Sequence, residues 1–398
     1  MIKWLKQKGP GTLVVAAFIG PGTVTVCTKA GVEYGYSLLW AVLLSIIATV
    51  VLQEMSARAG LITQKELTSV LRDQFKSPIL KWFSLTLIFA AIIIGNTAYE
   101  AGNISGAGLG LSAILNEEIV QFAPIVIGII AFVILIIGNY KVLERILVSL
   151  VILMSVSFII TAIITKPDFS KILTGLFVPK IPDNAALLVI GIIGTTVVPY
   201  NIFLHSSLVK EKWKSPNQLK EVRSDLLLSI LLGGLVSMAI VISAGSIMGG
   251  EIEGVADLAK GLVPLYGTAA KYFIGIGLFA AGITSAITAP LAAAYVAKGC
   301  FNWDANLKSW KFRSVWIGVL IFGIIVSSLN LKPVLLITFA QVANGLLLPV
   351  VSFFLIWIVN RSNLLGEYKN NLFQNILGGL IIIITLILGV KGIVTALI

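Results

Sequence analysis

The side chains that could do chemistry inside the apolar stretches of this sequence gather near two proline breaks. The first is Gly20-Pro21-Gly22, followed by Thr23, inside "VVAAFIGPGTVTVCTKAG", residues 14–31. The second is Pro199 inside "GIIGTTVVPYNIFLHSSLV", residues 191–209, flanked by Thr195, Val198 and Tyr200. A proline removes one helix hydrogen bond and clashes with the preceding turn. Each break therefore frees backbone carbonyls and amides in the middle of an apolar segment. Carbonyls near Gly20, the Thr23 hydroxyl and the Thr195–Val198 carbonyls are the kind of oxygen donor that holds a small ion or solute. Tyr200 can donate or accept a hydrogen bond there. Gln341 and Asn344, three residues apart in another apolar stretch, share a helix face and are candidates for the same lining. Buried amides of this kind also serve as packing contacts between helices.

Two titratable groups suggest a second kind of chemistry. Glu100 lies deep in "IIIGNTAYEAGNISGAGLG". An intramembrane carboxylate usually faces the interior and relays protons or pairs with a base; the alternative is a structural hydrogen bond beside Asn96 and Asn103. His205, the only histidine, falls six residues past Pro199, and its titration range suits a proton path. A lone histidine also serves in structural roles. Cys27 and Cys300 fall in or beside different apolar stretches and make no disulfide framework. No phosphate-binding loop, histidine–cysteine cluster or nucleophile elbow is present, so the sequence reads as neither an enzyme nor a cofactor carrier.

These residues must be positioned by membrane helices. The chain is 58% hydrophobic and 12% charged, with mean hydropathy +1.00, whereas a soluble domain is about half apolar and a quarter charged. Runs such as "GLIIIITLILGV" do not alternate, which disfavours a barrel and points to an all-α polytopic membrane protein. Eleven candidate spans are expected, at about 12–28, 36–54, 82–112, 122–139, 144–165, 185–206, 226–247, 268–297, 314–331, 334–359 and 373–396. The net charge of +11 suggests membrane orientation rather than nucleic acid, because the basic residues sit in short loops. Lys3, Lys6 and Lys8 precede the first span. Arg58, Lys65, Arg72, Lys76 and Lys81 follow the second, and Lys210, Lys212, Lys214, Lys220 and Arg223 follow the sixth. Positive loops stay cytoplasmic, which places the N-terminus inside and the C-terminus outside a plasma (inner) membrane.

Pro21 and Pro199 are 178 residues apart, with five spans separating each break from its counterpart. That is the pattern of an inverted five-plus-five repeat with helices 1 and 6 broken. The repeats are expected at about 12–165 and 185–359, with an eleventh helix at 373–396, in one membrane domain over residues 1–398. A full repeat pair in one chain allows a working monomer.

At this point the chain resembles the NRAMP family of proton-coupled divalent metal transporters. "GPGTLVVAAFIGPGTVTVCTKAGVEYGYSLLW" resembles its first helix and following loop, and "LQEMSARAGLITQKELTSVLR" its second helix and the loop after it. "GIIGTTVVPYNIFLHSSLV", "LFAAGITSAITAPLAAAYVAKGCF" and "ITFAQVANGLLLPVVSFFLIWIVNRSNLLGEYKN" resemble its sixth, eighth and tenth helices. The resemblance implies a LeuT-like architecture and alternating access, and it places Gln341 at a polar position near the metal site. It also implies Asp-Pro-Gly-Asn in the first break, where this chain has Gly20-Pro21-Gly22-Thr23. It implies Met-Pro-His in the sixth helix, where Val198-Pro199-Tyr200 stand. An Asp three residues before Glu100 is replaced by Thr97, and the eighth helix's glutamine corresponds to Ile283.

The metal-binding Asp, Asn and Met of the family pattern are thus absent. If a metal is held, Gly20, Thr23, Thr195 and Gln341 are the positions for it. Oxygen donors without sulfur suit a harder ion such as magnesium, but a dication with no carboxylate beside it carries a large desolvation cost. Three readings stand at this point. The first is a transporter of a divalent cation, with or without proton coupling. The second is a transporter of the same fold for a non-metal small solute or monovalent ion. The third is a non-transporting sensor on a transporter scaffold.

Overall fold

The computed structural model of the protein describes residues 19–138, 141–247, 250–303, 308–329 and 331–397. The expected start of the first span (12–18) and Lys3, Lys6 and Lys8 lie outside them. Every regular element among the described residues is helical. The long helices are α1 (Pro21–Tyr34), α2 (Leu39–Thr63), α4 (Pro78–Leu111), α5 (Ala123–Ile137), α6 (Lys141–Ile164), α8 (Ala186–Thr196), α9 (Pro199–Lys212), α10 (Leu219–Gly245), α11 (Ala270–Phe301), α12 (Trp310–Ser327), α13 (Pro333–Val359) and α14 (Leu372–Leu397). Two short helices, α3 (Leu67–Gln74) and α7 (Phe169–Phe177), lie in connections.

Local sequence explains where the helices start and stop. Proline occupies the first position of α1, α4, α9 and α13, where its missing N–H has no helical partner to lose. Gly35, at φ 58, ends α1, and Gly138, at φ 67, ends α5. Both positions need the left-handed region that glycine enters without a Cβ penalty. At Asp168 the carboxylate accepts from Ser170 N and Lys171 N and starts α7.

Among the described residues, nine helical stretches are long and apolar enough to cross a membrane, one of them α8 and α9 together, and α5 is a shorter apolar helix of 15 residues. Several boundaries differ from expectation. The second span, expected to end near residue 54, runs to Thr63. Arg58, expected in the following loop, is inside α2 and 2% exposed. Its guanidinium donates to Glu54 (Nε to Oε1, 3.0 Å), to Asn370 Oδ1 (2.7 Å) and to the Tyr368 carbonyl. Glu54 in turn accepts from Arg223 at 2.7 Å. Polar residues that read as a loop are satisfied by distant partners, so the helix continues. Lys81 in the first turn of α4, Lys210 and Lys212 in the last turn of α9, and Lys220 and Arg223 at the start of α10 also lie within helices rather than loops.

Helix α4 packs along α11, α13 and α12; α8 lies on α13, α9 on α2, and α1 on α10. Small residues permit these approaches. A Cβ on Gly194 of α8 would overlap the Gln341 carbonyl of α13, and one on Gly106 of α4 would overlap the Pro21 ring. The start of α1 and the break between α8 and α9 are thereby pressed against α4 and α13.

Candidate functional site

At the first break, Gly20 is extended (φ −93, ψ 179) and α1 begins at Pro21. At the second, α8 stops at Thr196. Val197 and Val198 then run non-helical (φ −97, ψ 69 and φ −73, ψ 120) before α9 begins at Pro199. The two breaks meet. Thr23 Oγ1, in the first turn of α1, lies 2.9 Å from Thr195 Oγ1, in the last turn of α8. Each break therefore contributes one hydroxyl to the same buried point.

Gln341 of α13 lies directly against Gly22, where a Cβ would collide with its side-chain amide, and its Oε1 is buried without a hydrogen-bond partner. On the other side of Gly20 stands Ser285 of α11, with Oγ 3.1 Å from where a Gly20 Cβ would be and likewise unpartnered. The Tyr99 hydroxyl of α4 is 3.6 Å from the same point, and the Tyr99 ring meets Tyr200 edge-on at 5.5 Å. Thr23, Thr195, Ser285, Gln341, Tyr99 and Tyr200 are each at most 1% exposed, so the cluster is closed off. A buried, unpartnered polar oxygen costs free energy, about 1–3 kcal/mol. Ser285 Oγ and the Tyr99 hydroxyl, both unpartnered, converge on Gly20, and Gln341 Oε1 stands two residues on at Gly22.

The electrostatics are those of oriented dipoles. The C-terminal end of α8 brings partial negative charge to Thr195 and Thr196, and α1 and α9 present the opposite pole at Pro21 and Pro199. No formal charge belongs to the cluster, and no group of three or more His, Cys, Asp or Glu side chains among the described residues is arranged to hold a metal ion. The donors present are hydroxyl, amide and carbonyl oxygens.

Some carbonyls expected to be free have partners. The Thr196 carbonyl accepts from Thr49 Oγ1 of α2 at 3.4 Å, and the Val198 carbonyl accepts from Asn201 N at 3.1 Å. Gln341 and Asn344 share a face yet meet different neighbours. Asn344 Oδ1 lies 3.3 Å from where a Cβ on Gly95 of α4 would be.

The two titratable candidates stand apart from the cluster. Glu100, fully buried, packs its aliphatic stem against Gly323 of α12. Its Oε2 is 3.5 Å from Asn103 Nδ2, and its Oε1 has no partner. Asn96 is occupied elsewhere, donating to the Ala289 carbonyl at 2.8 Å. His205 Nδ1 is 2.7 Å from Gln53 Oε1 of α2, while Nε2 and both polar atoms of nearby Asn201 are buried without partners. Both sets line the interior, one between α4 and α12 and one between α2 and α9.

Sequence reasoning missed Ser285, Tyr99, Thr49, Gln53 and Asn201. Gln53 carried a signal, a polar residue closing the apolar run "ATVVLQ". Ser285 and Tyr99 carried none, because which face of α11 and α4 meets Gly20 is set by packing.

The sequence matches the family model described as natural resistance-associated macrophage protein-like over residues 11–395. It is 28% identical over 378 residues to the divalent metal cation transporter MntH of Verminephrobacter eiseniae, covering 92% of this chain and 83% of that protein. It is 27% identical over 390 residues to the protein of the same name from Yersinia pestis, covering 96% and 92%. Among solved structures, it resembles the Eremococcus coleocola manganese transporter in complex with an aromatic bis-isothiourea substituted compound. The TM-score is 0.77 at 18% identity, over 97% of this chain and 85% of that one. It also resembles MhsT in complex with L-phenylalanine, with TM-score 0.58 at 14% identity, over 96% and 98%. The structural likenesses establish the all-α, LeuT-like fold.

Proposed function

Because the chain belongs to the natural resistance-associated macrophage protein-like family, we infer that it is a secondary transporter moving a divalent metal cation through the membrane by alternating access. The observation that carries this reading is the meeting of Thr23 and Thr195 across the two helix breaks. A cargo site at mid-membrane needs backbone irregularity lined by protein, and here both irregular segments supply oxygen to one closed point.

The cation sits among Gly20, Thr23, Thr195 and Gln341, with Tyr200, Val198 and Asn344 around it. Oxygen donors replace its water, and the α8 C-terminal dipole offsets part of its charge. An all-oxygen set without thioether or imidazole favours harder cations of the magnesium and manganese kind over softer ones. Rocking of the helices that bear the breaks against the rest opens the site to one side at a time. A cleft of about 770 Å³ among Tyr36, Thr165, Gly175 and Gly245 supports access from the end of α1. Protons move separately, through Glu100 and His205, whose unpartnered atoms lie on other helix interfaces. The basic loops put the opposite end in the cytoplasm of a plasma membrane, with the N-terminus inside and the C-terminus outside. Glu66, reached by Lys210 at 3.1 Å and Lys298 at 3.4 Å, ties the connection after α2 to the ends of α9 and α11.

The test is uptake of manganese, magnesium and calcium into liposomes holding the purified protein, with an internal pH dye. Saturable uptake that Thr23→Val and Gln341→Leu weaken is expected. Absence of uptake for all three cations across a broad concentration range refutes the reading. A Glu100→Gln variant is expected to keep metal binding and lose the pH signal, and an unchanged pH signal removes Glu100 from the proton path.

A further inference from the structure

A cleft of about 820 Å³ lies on the lipid-facing side of the molecule, remote from the helix breaks. Its walls are α4, the C-terminal half of α13 and α14. Its mouth carries two cations, Lys76, just before α4, and Arg361, just after α13. Below the mouth the lining is apolar, with Leu80, Phe83, Phe353 and Leu386 49–65% exposed.

We propose that this cleft binds one anionic glycerophospholipid, its phosphate between Lys76 and Arg361 and an acyl chain along the apolar floor. Three observations carry the assignment. The cations are unanswered, since neither takes part in an ion pair among the described residues. Arg361 is held in place, its guanidinium 4.1 Å over the Trp357 ring, which stacks on Phe75 at 4.9 Å. A planar guanidinium fixed on an aromatic face keeps its edge free for phosphate oxygens.

The third observation is depth. From the mouth the lining reaches Leu87 on α4, Pro349 on α13 and Leu386 on α14. At 1.5 Å per helical residue these positions lie roughly 14–21 Å below the mouth. That is about one leaflet of a hydrocarbon core roughly 30 Å thick, so the cleft fits a chain anchored at its own headgroup. The mouth is at the end of α4 that follows the Lys65–Arg72 segment, the end assigned to the cytoplasm. Anionic lipid is concentrated there, and basic pockets between membrane helices recognise it.

The experiment is native mass spectrometry of the full-length protein in neutral detergent, titrated with phosphatidylglycerol or with phosphatidylcholine of the same chains. Wild type is expected to retain one phosphatidylglycerol and no saturable phosphatidylcholine. Lys76→Gln with Arg361→Gln weakens binding about 30-fold, from the loss of two surface cations. Leu87→Trp, which fills the floor while leaving the cations, abolishes it. Lys220→Gln, elsewhere on the same end, leaves it unchanged. Equal retention of both lipids refutes the proposal, as does undiminished phosphatidylglycerol binding in the double variant or the filled variant. Displacement by inorganic phosphate at matching concentration also overturns it, because a plain anion site needs no cleft.

Discussion

Changing Thr23 and Thr195 to valine, singly and together, tests whether the two breaks act as one site. Valine keeps the shape and removes only the hydroxyl. In Thr23→Val the Thr195 hydroxyl, 0% exposed, loses its 2.9 Å partner. Orphaning it costs about 1–3 kcal/mol, toward the lower end where a threonine can turn to a carbonyl in its own helix. Removing the second hydroxyl as well deletes the orphan, so the double variant should cost less than the sum of the singles by about 1 kcal/mol. Cargo binding should behave differently. Both oxygens contribute to the cation, so the double variant binds it most weakly, about 5- to 150-fold below wild type for a loss of roughly 1–3 kcal/mol. Thermal unfolding in detergent reads the first quantity, and titration calorimetry with manganese and magnesium reads the second. Strict additivity in stability would show that the pair is not coupled. Unchanged metal affinity in all three variants would remove the hydroxyls from the site.

Two glycines against one glutamine should give opposite outcomes. Gly194→Ala meets the Gln341 backbone carbonyl, which cannot yield, and should cost about 3 kcal/mol or more, read as loss of the monodisperse protein peak. Gly22→Ala meets only the Gln341 amide, which can rotate, so the protein should fold and bind metal more weakly. Glu66→Gln removes the acid shared by Lys210 and Lys298. Hydrogen exchange should then accelerate at the ends of α9 and α11 while protection near Thr23 is unchanged. Outside the membrane, burial pushes the Asp73 carboxyl up, but hydrogen bonds from Lys65 (2.8 Å) and Arg72 (3.2 Å) outweigh it and hold the group below its ordinary range. A lowered folded value means stabilisation that is complete above the unfolded value near 3.9 and lost as pH falls through the folded one. The melting difference between wild type and Asp73→Asn should be small, constant from about pH 5 to 7, and gone at lower pH.

Part of the candidate arrangement was readable because proline speaks locally. Pro21 and Pro199 announce a break wherever they stand in an apolar run, and the hydroxyls beside a break are the first side chains to look at there. Thr23 and Thr195 followed from that logic, Gln341 from being an amide in an apolar span, and the structure brings the three helices that carry them together. Gln341 and Asn344 show its limit. Spacing puts them on one face, but the face is broad enough to meet α1 with one amide and α4 with the other. Glu100 and His205 were legible as buried titratable groups, and Asn103 was legible beside Glu100, whereas their distant neighbours were not. Gly323 and Gln53 are 223 and 152 residues away in sequence. The end of α2 failed for the same physical reason. Arg58 reads as a loop residue until Tyr368 and Asn370 are seen beside it.

That arginine also sets a schedule. Glu54, one turn away, neutralises Arg58 as soon as α2 forms. Its other two partners lie 310 and 312 residues later in the chain. At about 5–20 residues per second the ribosome needs roughly 15–60 s to supply them. Through that interval the Arg58 donors not taken by Glu54 lack the partners they have in the finished fold. The segment before α14 is therefore a late stitch in the second helix's assembly, and α2 waits for residues made more than 300 positions after it.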